Sequence, residues 1–357
     1  MRQKYLFFVI SLSLLGYQMS YGQYTEHIVS VTEDFVNSLN DEQQVLIQYQ
    51  FKDSTRTKWT NFPVGMVPRP GLQFGNLSEE SKIKFHQLLL TFLSSQGYLK
   101  TTSIMKLDDI LNEGTALALE RKMISKSTFN EIMSLDWDYD NFYISLWNVP
   151  DMVEPWGLKF EGHHLSINIT MANTEISMTP LFLGADPAEV NSTKFAGLRV
   201  LSKEEDYGMA LINSMDRHQK EIATLSQEVP EDIITNPRDN KRITEYYGIS
   251  GDQLTDVQLK LLEKLIKEYV NNLEEEKASE ALRKLKKSGM ENIYFAWIGS
   301  YERKKPHYYI IHTPDYIIEY DNVGFQHDGN HIHTIWREKK NDFGEDLLKQ
   351  HYKRHKH

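Results

Sequence analysis

The chain has 357 residues, 40% hydrophobic and 25% charged, with 16 Phe, 19 Tyr and 6 Trp. That supplies enough apolar volume for a sizeable core and excludes disordered, collagen-like and coiled-coil classes. The formal charge of −10, with no long basic block, argues against general binding to nucleic acid or to an anionic membrane.

Residues 1–22 read as a secretory signal peptide. Arg2 and Lys4 give a positive start, Tyr5 to Gly16 is an apolar run, and Ser20 and Gly22 put small residues before a cleavage point at Gln23. The run is shorter than the ~20 residues a spanning helix needs, so no integral membrane segment is expected after cleavage. Loss of Arg2 and Lys4 takes the charge from −10 to −12. The chain has no Cys, so it can form no disulfide. A periplasmic or extracellular location follows as an expectation.

Apolar residues at helical spacing (Ile28, Val31, Phe35, Val36, Leu39) predict a helix over 27–50. A Pro- and Gly-rich loop follows from Lys52 to Asn76. Ser78 starts a second helix to about Leu93, which Gly97 is expected to stop, and a third covers about 102–112. Four runs rich in β-branched and aromatic residues then read as strands: 141–147, 158–160, 163–171 and 175–182. Asn173 lies between the last two and suggests a hairpin. Helices return over 203–227 and 253–287, the latter ending in Lys284, Lys286, Lys287 and Gly289. Strands at 293–299, 307–312, 316–320 and 331–337 complete the pattern. No linker divides the chain. The expected fold is one integrated α+β domain over 23–350, with a mixed or antiparallel sheet and several packed helices. Residues 351–357 read as a basic, His-containing, solvated tail.

Eight of the 13 His lie at or after His307. Two clusters carry chemical interest. In the first, Gly162-His163-His164-Leu165-Ser166-Ile167-Asn168, strand alternation sends His163 and His164 to opposite faces, with His164 beside Ser166 and Asn168. A bulge at Gly162 would release His163 from that rule. In the second, His331-x-His333 puts both imidazoles on one strand face, about 6–7 Å apart at Cα. That spacing lets two ring nitrogens meet one cation. Arg337 shares their parity and could orient an anionic substrate group. Glu319 and Asp321 on the preceding strand, and Asp342 just beyond, offer carboxylates. His with carboxylate suits a divalent transition metal, zinc or iron, without Cys. A non-metal polar site and plain structural packing explain the same residues.

Other templates fit less well. Gly-x-Ser-x-Gly, His-Glu-x-x-His and the phosphate-binding Gly-rich loops are absent. A triad built on Ser166 is left open, because triads assemble across a fold. Asp136, Asp138 and Asp140 lack the Gly and Glu of a calcium loop and read as a solvated acidic loop. Trp137, Tyr139, Trp147 and Trp156 could line a cleft or fill the core.

An ordered set of segments carries a family resemblance. It includes Arg69-Pro70-Gly71-Leu72, Leu93-Ser94-Ser95-Gln96-Gly97-Tyr98 and Glu161-Gly162-His163-His164-Leu165-Ser166-Ile167-Asn168. It continues with Pro180-Leu181-Phe182-Leu183-Gly184-Ala185-Asp186-Pro187-Ala188, Ile318-Glu319-Tyr320-Asp321-Asn322, His331-Ile332-His333-Thr334-Ile335-Trp336-Arg337 and Asn341-Asp342-Phe343-Gly344. Over nearly all of 23–350 the chain resembles the bacterial family DUF3500. That resemblance implies a single domain and transfers no activity.

The residues lead to an exported metal-dependent enzyme, a hydrolase acting on a small polar or anionic substrate. His163 or His164, His331, His333 and Asp342 are the expected metal ligands. His164, Glu319 and Arg337 are the expected catalytic side chains. The alternative is a non-enzymatic periplasmic protein that binds a small ligand.

Overall fold

A computed structural model describes residues 21–237, 242–324 and 327–354. The expected leader falls almost wholly outside them. Helix α1 (Tyr21–Asn37) buries Ile28 and Phe35. The helix expected over 27–50 restarts at Asn40, whose side chain accepts from Gln43 N at 2.9 Å while Gln43 Oε1 accepts from Asn40 N at 3.1 Å. This capping box opens α2 (Asp41–Ile47). Ser78 caps α3 (Glu79–Phe92) as expected. Gly97 does not end a helix. Ser94 accepts from Gly97 N at 3.1 Å and starts α4 (Ser95–Glu120), of which the expected 102–112 is the middle. A Cβ on Gly97 would stand 2.0 Å from Asn272 O, so glycine is there for close approach. A short exposed helix, α5 (Lys126–Met133), has no counterpart in the sequence reading.

The two later helices are also divided. Asp216 forms a capping box with Gln219 and separates α6 (Ser202–Asn213) from α7 (Arg217–Ala223). Thr255 caps α8 (Asp256–Val270), and α9 (Glu275–Ser288) starts at a new cap, Glu274. Lys286, Lys287 and Gly289, at φ 80°, close α9 as expected. The last helix, α10 (Glu345–Arg354), runs into the expected tail. His351 is buried there, its Nδ1 3.2 Å from Asn173 Nδ2, so the solvated end begins beyond it. Residues 355–357 lie outside the described set.

The sheet has 13 strands. They are β1 (Gln48–Tyr49), β2 (Leu72–Gln73), β3 (Tyr143–Trp147), β4 (Trp156–Gly162), β5 (Leu165–Ala172), β6 (Glu175–Ser177), β7 (Leu181–Ala185), β8 (Thr224–Ser226), β9 (Ile249–Ser250), β10 (Tyr294–Gly299), β11 (His307–His312), β12 (Tyr316–Asn322) and β13 (Ile332–Glu338). The spatial order is β1-β3-β4-β5-β7-β13-β12-β11-β10-β8, with β2 on β3, β6 on β5 and β9 on β10. Pairing is antiparallel except β1 with β3 and β8 with β10. The fold is α+β, as expected. Asn173, at φ 53°, turns β5 into β6.

Alternation gives β5 and β13 two faces. Leu165, Ile167, Ile169 and Met171 join Ile332 and Trp336 in the main core with Ile28, Phe85, Phe92 and Leu262 from the helices. The other face of β13 carries His333, Ile335 and Arg337. Ile335 packs there with Trp59, Phe182 and Ile233, so the two loops near residues 59 and 233 cover this side. Strand β7 joins the halves of the sheet, pairing Gly184 with His333 and Leu183 with Leu165.

Candidate metal centre

His163 and His164 are not strand residues. They form the two-residue connection of the β4–β5 hairpin, whose last pair is Gly162 with Leu165. His164 has φ 60°, a left-handed conformation that costs a non-glycine residue about 1–3 kcal/mol and must be held by its surroundings. Two backbone bonds hold it: His164 N donates to Asn61 O at 3.1 Å, and Gly184 N donates to His164 O at 2.8 Å. The turn frees both rings from strand alternation, and their centroids lie 3.9 Å apart.

Because Gly184 pairs with His333, the hairpin tip comes to the edge of the His-x-His pair. His164 Nε2 stands 2.7 Å from His331 Nε2 and 3.1 Å from His333 Nε2, and the last two are 3.1 Å apart. An imidazole hydrogen bond needs one protonated and one bare nitrogen. Three mutual contacts cannot all satisfy that rule, so hydrogen bonding leaves at least one pair opposed. Three nitrogens about 2.0–2.1 Å from one tetrahedral ion are separated by about 3.3 Å, which this triangle approaches. His164, His331 and His333 could therefore hold a metal ion.

Carboxylates back the rings. His333 Nδ1 lies 2.9 Å from Asp232 Oδ1 and 3.4 Å from Asp321 Oδ2. His331 Nδ1 lies 3.4 Å from Asp186 Oδ2. Such partners orient the ring and raise the basicity of the opposite nitrogen. Burial opposes charge on His333, yet Asp321 and Asp232 overcome it and push its pKa up to about 10. His331 is pushed down to about 4, burial prevailing over Asp186. Burial and the neighbouring imidazoles drive His164 well below the usual range. Asp321 is raised to about 6 by burial, against the pull of His333.

His163 stands outside the trio. Its Nδ1 is 2.6 Å from Asp108 Oδ1, and Trp137 stacks on its ring at 6.0 Å. Burial pushes its pKa down to about 3. It lines a cavity of about 280 Å³ together with the trio, Asn61, Phe62, Pro63, Glu231, Asp232, Gly324 and His327. No Lys or Arg lines this cavity among the described residues.

Glu319, Arg337 and Asp342 are not brought to it. Glu319 accepts from Ile234 N at 2.7 Å and from the hydroxyls of Thr235 and Tyr308. Arg337 donates to Thr235 O at 2.7 Å and pairs with Asp342 at 2.5 Å. Glu319 and Arg337 secure the loop that carries Asp232, and Arg337 with Asp342 lines a separate cavity of about 790 Å³. Parity placed Arg337 on the correct face, but each two-residue step along a strand moves a side chain some 6–7 Å, and two steps separate it from His333. Trp147 and Trp156 are core residues. Ser166 is fully buried and accepts from Asn168 Nδ2 at 3.0 Å, and no histidine is among its hydrogen-bond partners in the described residues.

The sequence reading missed Asp108, Asp186 and Asp232 as partners of the histidines. Residues 21–345 match the family described as "Protein of unknown function (DUF3500)". The chain belongs to this family. No curated protein and no solved structure matches it. Within DUF3500 the present chain has no described helix long and apolar enough to cross a membrane.

Proposed function

We propose that this DUF3500 protein is an exported metal-dependent enzyme, a hydrolase of a small polar substrate, with a divalent ion on His164, His331 and His333. The observation that carries the reading is the convergence of three Nε2 atoms at 2.7–3.1 Å beside a cavity of about 280 Å³. Three protein ligands leave a fourth position for water or substrate, the pattern of catalytic rather than structural zinc. A bound divalent ion supplies Lewis acidity and lowers the pKa of coordinated water towards neutrality.

The chain's own residues have separate tasks in this reading. Asp232 and Asp186 fix the rings of His333 and His331. Asp108 fixes His163, whose ring and the Asn61 amide line the cavity as polar groups for substrate. Asn61 Oδ1 is buried with no hydrogen-bond partner among the described residues, which suits a role in binding. Phe62 and Pro63 supply an apolar wall. The absence of Lys and Arg from the described lining favours a neutral polar substrate over an anion held by Arg337.

The test is elemental analysis of protein purified from the exported fraction, followed by turnover of a panel of small esters, amides and phosphoesters. The expected result is a chain beginning near Gln23, a stoichiometric ion, and hydrolysis lost on chelation and restored by the ion. Wild-type protein that stays metal-free after reconstitution would refute the metal reading and leave a ligand-binding module.

A further inference from the structure

We propose that the opposite edge of the His333 ring holds a second divalent cation, bound by His333 Nδ1, Asp232 and Asp321, so that one imidazole bridges two ions. The proposal rests on the trio reading above and adds a second ion to it.

Asp321 on β12 pairs in register with His333 on β13, and the two side chains share a face. Asp321 is 1% exposed, and among the described residues its carboxylate oxygens have no donor closer than the His333 ring. Its one ion-pair partner among the described residues is His333, with Nδ1 3.4 Å from Oδ2. That nitrogen is already 2.9 Å from Asp232 Oδ1. One N–H thus faces two carboxylates and can satisfy only one. A buried carboxylate without a donor is costly, and native structures seldom keep one unless a ligand completes it.

A cation completes it. Donors about 2.0–2.2 Å from one ion lie about 3–3.5 Å from each other, the range in which both carboxylates stand from Nδ1. The three donor atoms lie within 4.8 Å of one another. One nitrogen and two carboxylate oxygens suit zinc, manganese or iron(II). Charge agrees with geometry. Two carboxylates and the bridging imidazolate carry three negative charges, and two divalent ions balance them once both ring protons have passed to solvent. The β12–β13 ladder fixes Asp321 and His333, while Ile233 in the covering loop brings Asp232 across.

The probes are zinc and copper(II), each added alone to chelator-treated full-length protein. Native mass spectrometry should count two zinc ions per wild-type chain and one in Asp321→Asn. Electron paramagnetic resonance should show a copper signal that grows with the first equivalent and falls with the second, because a bridging imidazolate couples the two spins. In Asp321→Asn the first signal should persist. If Asp321→Asn does not fold, Asp321→Ser serves in its place. A wild-type count that saturates at one overturns the second site and leaves the trio standing. Two ions retained in the variant also overturn it. A count of zero overturns both readings.

Discussion

His164 Nε2 and His331 Nε2 are 2.7 Å apart although 167 residues separate them in the chain. Their meeting depends on Gly184. A Cβ at that position would lie 2.7 Å from His164 Cδ2 and 2.9 Å from Ile332 O. The second neighbour is backbone, so an added Cβ would have to shift the β7–β13 pairing as well as the His164 ring. Gly184→Ala should cost about 1–3 kcal/mol, as overpacking does, and weaken metal binding. Gly114→Ala is the control, since its new Cβ meets only Ser192 Oγ at 3.5 Å. Urea melts and zinc titration of both variants check this. Unchanged zinc affinity in Gly184→Ala would show that the hairpin position does not matter to the site.

The fold class and the two histidine clusters were legible because each has a local signal. His-x-His is a parity argument, and Gly162 marks where alternation can fail. The aspartates were not legible. Asp232 reaches His333 from 101 residues away and Asp108 reaches His163 from 55, both outside any strand pattern shared with their partners. Glu319 shares a face with His333, but nothing local tells that the loop at 233–236 occupies it or that Arg337 takes up Asp342. The helix breaks are a different matter. Asn40-x-x-Gln43 and Asp216-x-x-Gln219 have capping-box spacing, so both restarts were present in the sequence as punctuation that the longer apolar period concealed.

Asp186 tests whether the carboxylates matter to the site. It stands 3.4 Å from His331 Nδ1 and has no other ion pair among the described residues. Asp186→Asn keeps the volume and removes the charge that orients the ring. Loss of such a partner lowers metal affinity about 10–100-fold. Competition against a chelator of known affinity measures it. An affinity within twofold of wild type would assign Asp186 to the surface only.

Lys100 makes a stability prediction remote from the site. Its Nζ lies 2.7 Å from both Glu204 and Glu268, and all three residues are buried. Lys100→Met should cost about 3–5 kcal/mol, because it strands two carboxylates rather than because the pair is worth that much. The triple variant Lys100→Met, Glu204→Gln, Glu268→Gln should recover much of the loss. Chemical denaturation of the two variants decides. Equal destabilisation of single and triple variants would mean that Lys100 acts through packing of its stem.

The last prediction concerns acid. His312 stacks on Tyr246 at 4.1 Å, and its Nδ1–H donates to Glu245 O at 3.0 Å. Its Nε2 is buried without a partner among the described residues. The charged group on the same side is Lys339, whose Nζ lies 4.6 Å from the Tyr246 ring centroid and 3.0 Å from its hydroxyl. Burial first, and Lys339 second, push His312 down to about 4, whereas an unfolded histidine titrates near ~6.5. Between those values the unfolded chain binds the extra proton. Stability from this residue is therefore complete above about pH 6.5 and is lost as pH falls towards 4. His312→Phe keeps the stack and removes the titration. Denaturation midpoints from pH 7 to pH 4 should fall less steeply in His312→Phe than in wild type, by less than one proton's worth of slope. Parallel profiles across that window would show that His312 takes up its proton without leaving its place.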